Sequence, residues 1–83
     1  MDILTQIDKD FSSMSKRHKL IAEYIRKNYD KAAFMNVEQL SLAAGVSEAT
    51  VVRFSSELGY GKYQHFQQVL KDYAKSRLTS VQR

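Results

Sequence analysis

Eighty-three residues carry a net charge of +4, with 43% apolar and 27% charged side chains, no proline and no cysteine. That balance excludes a disordered tail, and the missing thiols exclude a disulfide framework or a thiolate metal site, so a reducing interior such as the cytoplasm is the expected compartment. The longest apolar runs are a few residues, far short of the roughly 20 that a membrane-spanning helix requires, and no secretory signal is visible.

From the N-terminus onward, the pattern predicts one unit of four or five helices without repeat or linker. In residues 2–12, Ile3, Leu4, Ile7 and Phe11 recur at helical spacing behind a capping Asp2. Ser15 precedes KRHKLIAEYIRKNY, where Leu20, Ile21, Tyr24 and Ile25 are expected to face inward while Lys and Arg fill the outer face. Residues 28–36, NYDKAAFMN, break the period. Asn36 is a good N-cap for VEQLSLAA, and Gly45 ends that segment. Ser47 then caps a helix running to about Leu58, which Gly59 is placed to close in the left-handed conformation. A last helix, from about Tyr63 to Leu78, carries Phe66, Val69, Leu70, Tyr73 and Arg77 on one side. Charge alternates along the chain, with net −2 for residues 1–15, +4 for 16–31, −2 for 32–61 and +4 for 62–83. Two basic regions around a slightly acidic centre suit a polyanion gripped at two places, and suit an ordinary solvated surface as well.

The stretch AAGVSEATVVRF, residues 43–54, mixes a strand-like half, ATVVRF, with a helix-turn-helix-like half. As a strand it would put Thr50, Val52 and Phe54 on one face and Val51, Arg53 and Ser55 on the other, and neither face is cleanly apolar. On a helix, at about 100° per residue, Val51, Phe54 and Leu58 form a single inner stripe. The helical period therefore wins. Leu40 and Ala44 then face inward from the first helix, Gly45 makes the turn, Val46 plugs the angle between helices, and Val51 and Phe54 anchor the second. That is a helix-turn-helix, with a small residue where helices cross and glycine where φ is positive.

This arrangement turns Ala49, Val52, Arg53 and Ser56 outward, flanked by Thr50 and Glu57, toward the major groove of duplex DNA. Arg53 suits guanine or a phosphate, Ala49 and Val52 suit thymine methyl groups, and Glu48 suits a cytosine amino group. Ser47, Thr50 and the first amides of the helix are placed for backbone phosphate, as is Lys62 in the turn that follows. The bland alternative for Arg53 is an i, i+4 ion pair with Glu57. For Lys16, Arg17, Lys19, Lys27 and Lys31 a solvated helix face stands as the alternative to backbone phosphate contact.

The run AAGVSEATVVRF, followed by LGY, Tyr63 and Phe66 and preceded by MSKRHKLIAEYI and AAFMNVEQLS, resembles the N-terminal domain of the RpiR family of bacterial transcription regulators. The resemblance covers about residues 14–74. It implies an all-α fold of homeodomain-like or winged-helix-like type, with the motif at about residues 37–58, and operator binding through the helix from Ser47 to Leu58. It also implies a homodimer, and a phosphorylated-sugar effector sensed by a C-terminal sugar-isomerase-like domain that is not part of this sequence. Ser41, Tyr29 and Lys62 depart from the family, where alanine, proline and glycine are common.

The remaining inventory is spare. His18 and His65 lack a matching ligand cluster, so neither metal nor cofactor is expected. Tyr24, Phe34, Phe54, Phe66 and Tyr73 are expected in the core. No cysteine nucleophile, G-x-S-x-G turn, phosphate-binding glycine loop or carboxylate-paired histidine occurs, which argues against an enzyme. The competing reading is a helical protein-interaction module that keeps this architecture without touching DNA.

Overall fold

The computed structural model describes the backbone of residues 2–82 and the side chains of residues 2–77. Within them the chain forms α1 (Ile3–Asp10), a 3₁₀ turn (Phe11–Ser13), α2 (Lys16–Ala32), α3 (Val37–Ala44), α4 (Glu48–Glu57) and α5 (Tyr63–Gln82), with no strand among the described residues. The fold is all-α and lacks a β wing among those residues.

Four helix starts follow from local chemistry. Asp2, Ser15, Asn36 and Ser47 each adopt extended backbone and accept a hydrogen bond from the amide three residues on, satisfying one orphan donor of the helix that follows. At Asn36 the bond is reciprocal, because the Gln39 side chain accepts from the Asn36 amide at 2.9 Å. The Thr5 amide donated to Asp2 also holds that carboxyl below its ordinary pKa.

Helix ends are equally local. Gly45 takes φ 76°, and the Gly45 and Val46 amides both donate to the Ser41 carbonyl. Gly59 takes φ 99°, with its amide bonded to the Ser56 carbonyl and that of Tyr60 to the Ser55 carbonyl, the paired bonds of a Schellman ending. The predicted boundaries of α3 and α4 thus agree with the structure within a residue.

The core is one cluster to which every helix contributes: Ile3 and Ile7 from α1, Ile21, Ala22 and Ile25 from α2, Leu40 from α3, Val51 and Phe54 from α4, and Phe66, Leu70 and Ala74 from α5. Phe54 sits at its centre, with its ring edge-on to Phe66 at 6.0 Å and to His18 at 5.6 Å.

Four expectations need correction. Leu20 is not on the inner stripe of α2: it is 45% exposed. The buried face runs through His18, Ile21, Ala22 and Ile25, and Leu20 lies about 140° from Ile25's side of the helix at about 100° per residue. His18, a polar residue, supplies the missing member of that stripe. Second, α2 does not stop where its period breaks. It kinks at Asn28 (φ −137°, ψ 41°) and continues to Ala32, which with Ala33 is fully buried. Third, Phe34 is 62% exposed rather than core, with the Lys71 ammonium 5.7 Å from its ring centroid. Finally, α5 runs past Leu78 to Gln82, while Arg77 lies on the side of Tyr73 as expected, its guanidinium 5.5 Å from that ring.

Candidate nucleic-acid interface

The helix-turn-helix is α3 and α4, and its inner residues fall where the pattern put them. Leu40, Val51, Phe54 and Leu58 are buried, and Ala44 and Val46 are half-buried against the same core. Gly45 carries the left-handed backbone that the tight turn demands.

The opposite side of α4 is exposed. Ser47, Glu48, Ala49, Val52, Arg53 and Ser56 all reach solvent, and Val52, a large apolar residue with no covering element, is 43% exposed. A β-branched side chain left open on a helix flanked by hydroxyls and one guanidinium makes a surface of methyl groups and hydrogen-bond donors. Base edges in a major groove are read by groups of that kind.

Arg53 is not spent on Glu57. The Glu57 carboxylate instead approaches His18 Nδ1 at 3.6 Å, reaching back across the helix pair to α2, while Arg53 makes one long hydrogen bond, Nη2 to Thr50 Oγ1 at 3.5 Å. With the described residues the guanidinium forms no ion pair. Its remaining donors point to solvent in the fork geometry that matches guanine or phosphate.

Thr50 departs from its expected place. It is only 2% exposed, and its hydroxyl lies 2.9 Å from Ser47 Oγ, so Thr50 holds the start of α4 together rather than offering a surface group. The polarity of this chain follows from satisfying buried protons. Arg53 can only donate to Thr50, and the buried Thr50 proton needs an acceptor, which Ser47 Oγ provides. Ser47 Oγ also accepts from the Thr50 amide at 3.1 Å, so its own proton is free to point outward. The result is a directed path, Arg53 to Thr50 to Ser47 to solvent, ending beside the Glu48 and Ala49 amides of the first helical turn.

Both ends of α4 are braced. Gln6 of α1 donates through Nε2 to the Leu58 carbonyl at 2.7 Å and accepts from the Tyr60 hydroxyl at 3.1 Å. Burial raises the Tyr60 pKa, keeping that hydroxyl a donor. In the turn beyond, Gly59 and Gly61 carry the positive φ values and Lys62 needs none. Lys62 is exposed, and its carbonyl opens α5 by accepting from the His65 and Phe66 amides at 3.1 and 3.3 Å.

The tertiary fold gathers two of the basic residues for which the sequence left phosphate contact and a solvated face both open. Lys16 and Arg17, at the start of α2, line a shallow open groove together with Leu20 and the turn residues Gly45, Val46 and Ser47. Nothing in the linear spacing, which separates Arg17 from Ser47 by thirty positions, signals this.

The comparisons agree with this geometry. Residues 1–77 match the family model described as the helix-turn-helix domain of the rpiR family. The chain is 30% identical over 82 residues to an uncharacterized HTH-type transcriptional regulator of Clostridium perfringens (strain 13 / Type A), covering 98% of this chain and 29% of that protein. It is 33% identical over 60 residues to the uncharacterized HTH-type transcriptional regulator YfhH of Escherichia coli (strain K12), covering 72% of this chain and 21% of that one. No solved structure matches it. The chain thus spans less than a third of the length of these curated relatives. A glycine-turned helix pair with an open outer face, together with the family match, shows that the chain belongs to the rpiR family of helix-turn-helix domains, the DNA-binding part of transcription regulators.

Proposed function

We propose that this chain binds a specific DNA operator through the exposed face of α4. Arg53, Val52, Ala49 and Ser56 meet base edges, Glu48 accepts from a cytosine amino group, and Ser47 with the first amides of α4 and Lys62 holds backbone phosphate. The observation that carries this reading is Arg53, free of its i+4 carboxylate and exposed on the same face as an open Val52. Thr50 acts from behind, by fixing Ser47 and Arg53.

The finer parts rest on the resemblance and on the chain's share of its relatives' length. Two copies bind as a homodimer in the cytoplasm, and a C-terminal domain outside these residues senses a phosphorylated sugar and controls genes of sugar or amino-sugar metabolism. Selection of bound sequences from random duplex DNA tests the whole reading. Enrichment of a palindrome with half-sites about 34 Å apart, or a multiple of that, is expected. A single unpaired site refutes the dimer, and failure to enrich any sequence refutes specific readout.

The rival reading, a protein-interaction module, draws on Leu42, which is 77% exposed on α3, and on Phe34. Salt-sensitive retention on DNA separates the two. A stable protein complex without DNA affinity at low salt favours the rival.

A further inference from the structure

We infer that Lys16 and Arg17 form a second anion clamp, seating backbone phosphates of duplex DNA in the groove between the first turn of α2 and the Gly45–Ser47 turn. The inference rests on the DNA reading above and extends it to a different helix.

Three observations carry it. The first is electrostatic misplacement. Cations at a helix N-terminus oppose the macrodipole, and the first turn of α2 holds Lys16 and Arg17 with no acidic residue. The groove they line also contains the positive end of α4, so two helix dipoles and two cations converge on one place.

The second is the lack of compensation. Of the other cations of α2, Arg26 pairs with Asp8 at 2.8 Å and lies 5.0 Å from the Phe11 ring centroid, Lys19 lies 5.5 Å from the same ring, and Lys27 and Lys31 stand exposed toward the C-terminal half, where the dipole favours them. Lys16 and Arg17 are exposed and form no ion pair with the described residues. An anion from outside the fold is what removes the repulsion.

The third is position. Ser47 borders both the groove and the outward face of α4, so an anion in the groove lies beside the helix that enters the major groove. Leu20, which lines the same groove and is open to solvent, offers an apolar surface to a sugar ring of the same strand. A contact of this kind fixes register and adds affinity without selecting sequence.

The test is the salt dependence of binding to a mixed-sequence DNA duplex. Each phosphate neutralised contributes about 0.9 to the slope of log affinity against log salt, so Lys16→Ala/Arg17→Ala is expected to shallow that slope by about 1.8. Over a rise from about 50 to 200 mM salt, the variant then loses about twelvefold less affinity than the wild type does. Lys16→Arg/Arg17→Lys keeps the charge and keeps the slope. Lys31→Ala, at the C-terminal end of α2 where the dipole favours a cation, leaves it unchanged. Thermal melting of the double alanine variant at or above the wild-type midpoint confirms that folding is intact. A wild-type slope in a folded Lys16→Ala/Arg17→Ala variant overturns the clamp and leaves the α4 reading standing. A wild-type protein that binds no DNA at low salt overturns both.

Discussion

Replacing Ser47 by alanine tests how the recognition helix is held. A lost N-cap by itself costs about 1 kcal/mol. Here Ser47 Oγ also partners the hydroxyl of Thr50, which is 2% exposed, and that buried proton loses its acceptor in the variant. Leaving it unpaired adds about 1 kcal/mol, for a total of about 2 kcal/mol. For a domain of this size that lowers the melting temperature by roughly 8–16 °C, measurable by circular dichroism. Thr50→Val in the Ser47→Ala background removes the stranded hydroxyl and is expected to restore about 1 kcal/mol, a coupling that a double-mutant cycle reads directly. If Ser47→Ala melts like the wild type, or if the two changes add without coupling, the hydroxyl pair does not hold the start of α4 and the directed path from Arg53 is wrong.

Other outcomes follow from single residues. Gly45→Ala meets no atom within 4 Å of the added Cβ, so its cost is the left-handed backbone alone, about 1 kcal/mol in denaturant unfolding; an unchanged midpoint contradicts the turn. Arg53→Ala is expected to weaken operator binding by about 1–3 kcal/mol and relax preference at one base position, while the melting temperature stays near wild type. Tyr63 gives a pH signature. Its hydroxyl donates to the Met35 carbonyl at 2.7 Å, and burial raises its pKa to about 12 from 10.0. A phenol whose pKa is raised by folding stabilises fully below its unfolded value, and that stability is lost as pH climbs from 10.0 through about 12. Tyr63→Phe should remove this part of the alkaline loss, seen as a shallower fall of unfolding free energy between pH 10.0 and about 12. Its cost at neutral pH is about 1 kcal/mol, because the Met35 carbonyl still accepts from Gln67 at 2.9 Å.

Capping and turning were legible in the sequence because they are local. Asp2, Ser15, Asn36 and Ser47 act on amides three residues away, and Gly45 and Gly59 act on their own φ, so residue type and spacing carry the whole cause. The inner stripe of the motif, Leu40, Val51, Phe54 and Leu58, was legible for a related reason: a helix has a fixed period, and these positions are apolar in phase with it. Where the period was read from apolar residues alone it misled. His18 occupies an inner position of α2 because its ring packs edge-on to Phe54 and its Nδ1 faces Glu57, and neither partner is on its own helix.

The surface chemistry depended on tertiary placement in the same way. Whether Glu57 is drawn away from Arg53 and whether Lys16 and Arg17 stand beside Ser47 are settled by how α2 lies across α4. Sequence alone determined the helices, their caps and the glycine turn, because those interactions span three or four residues. The packing of α2 against α1, the 3₁₀ turn and α4 decided which cations are engaged and where Lys16 and Arg17 gather, because charges meet through space and not along the chain.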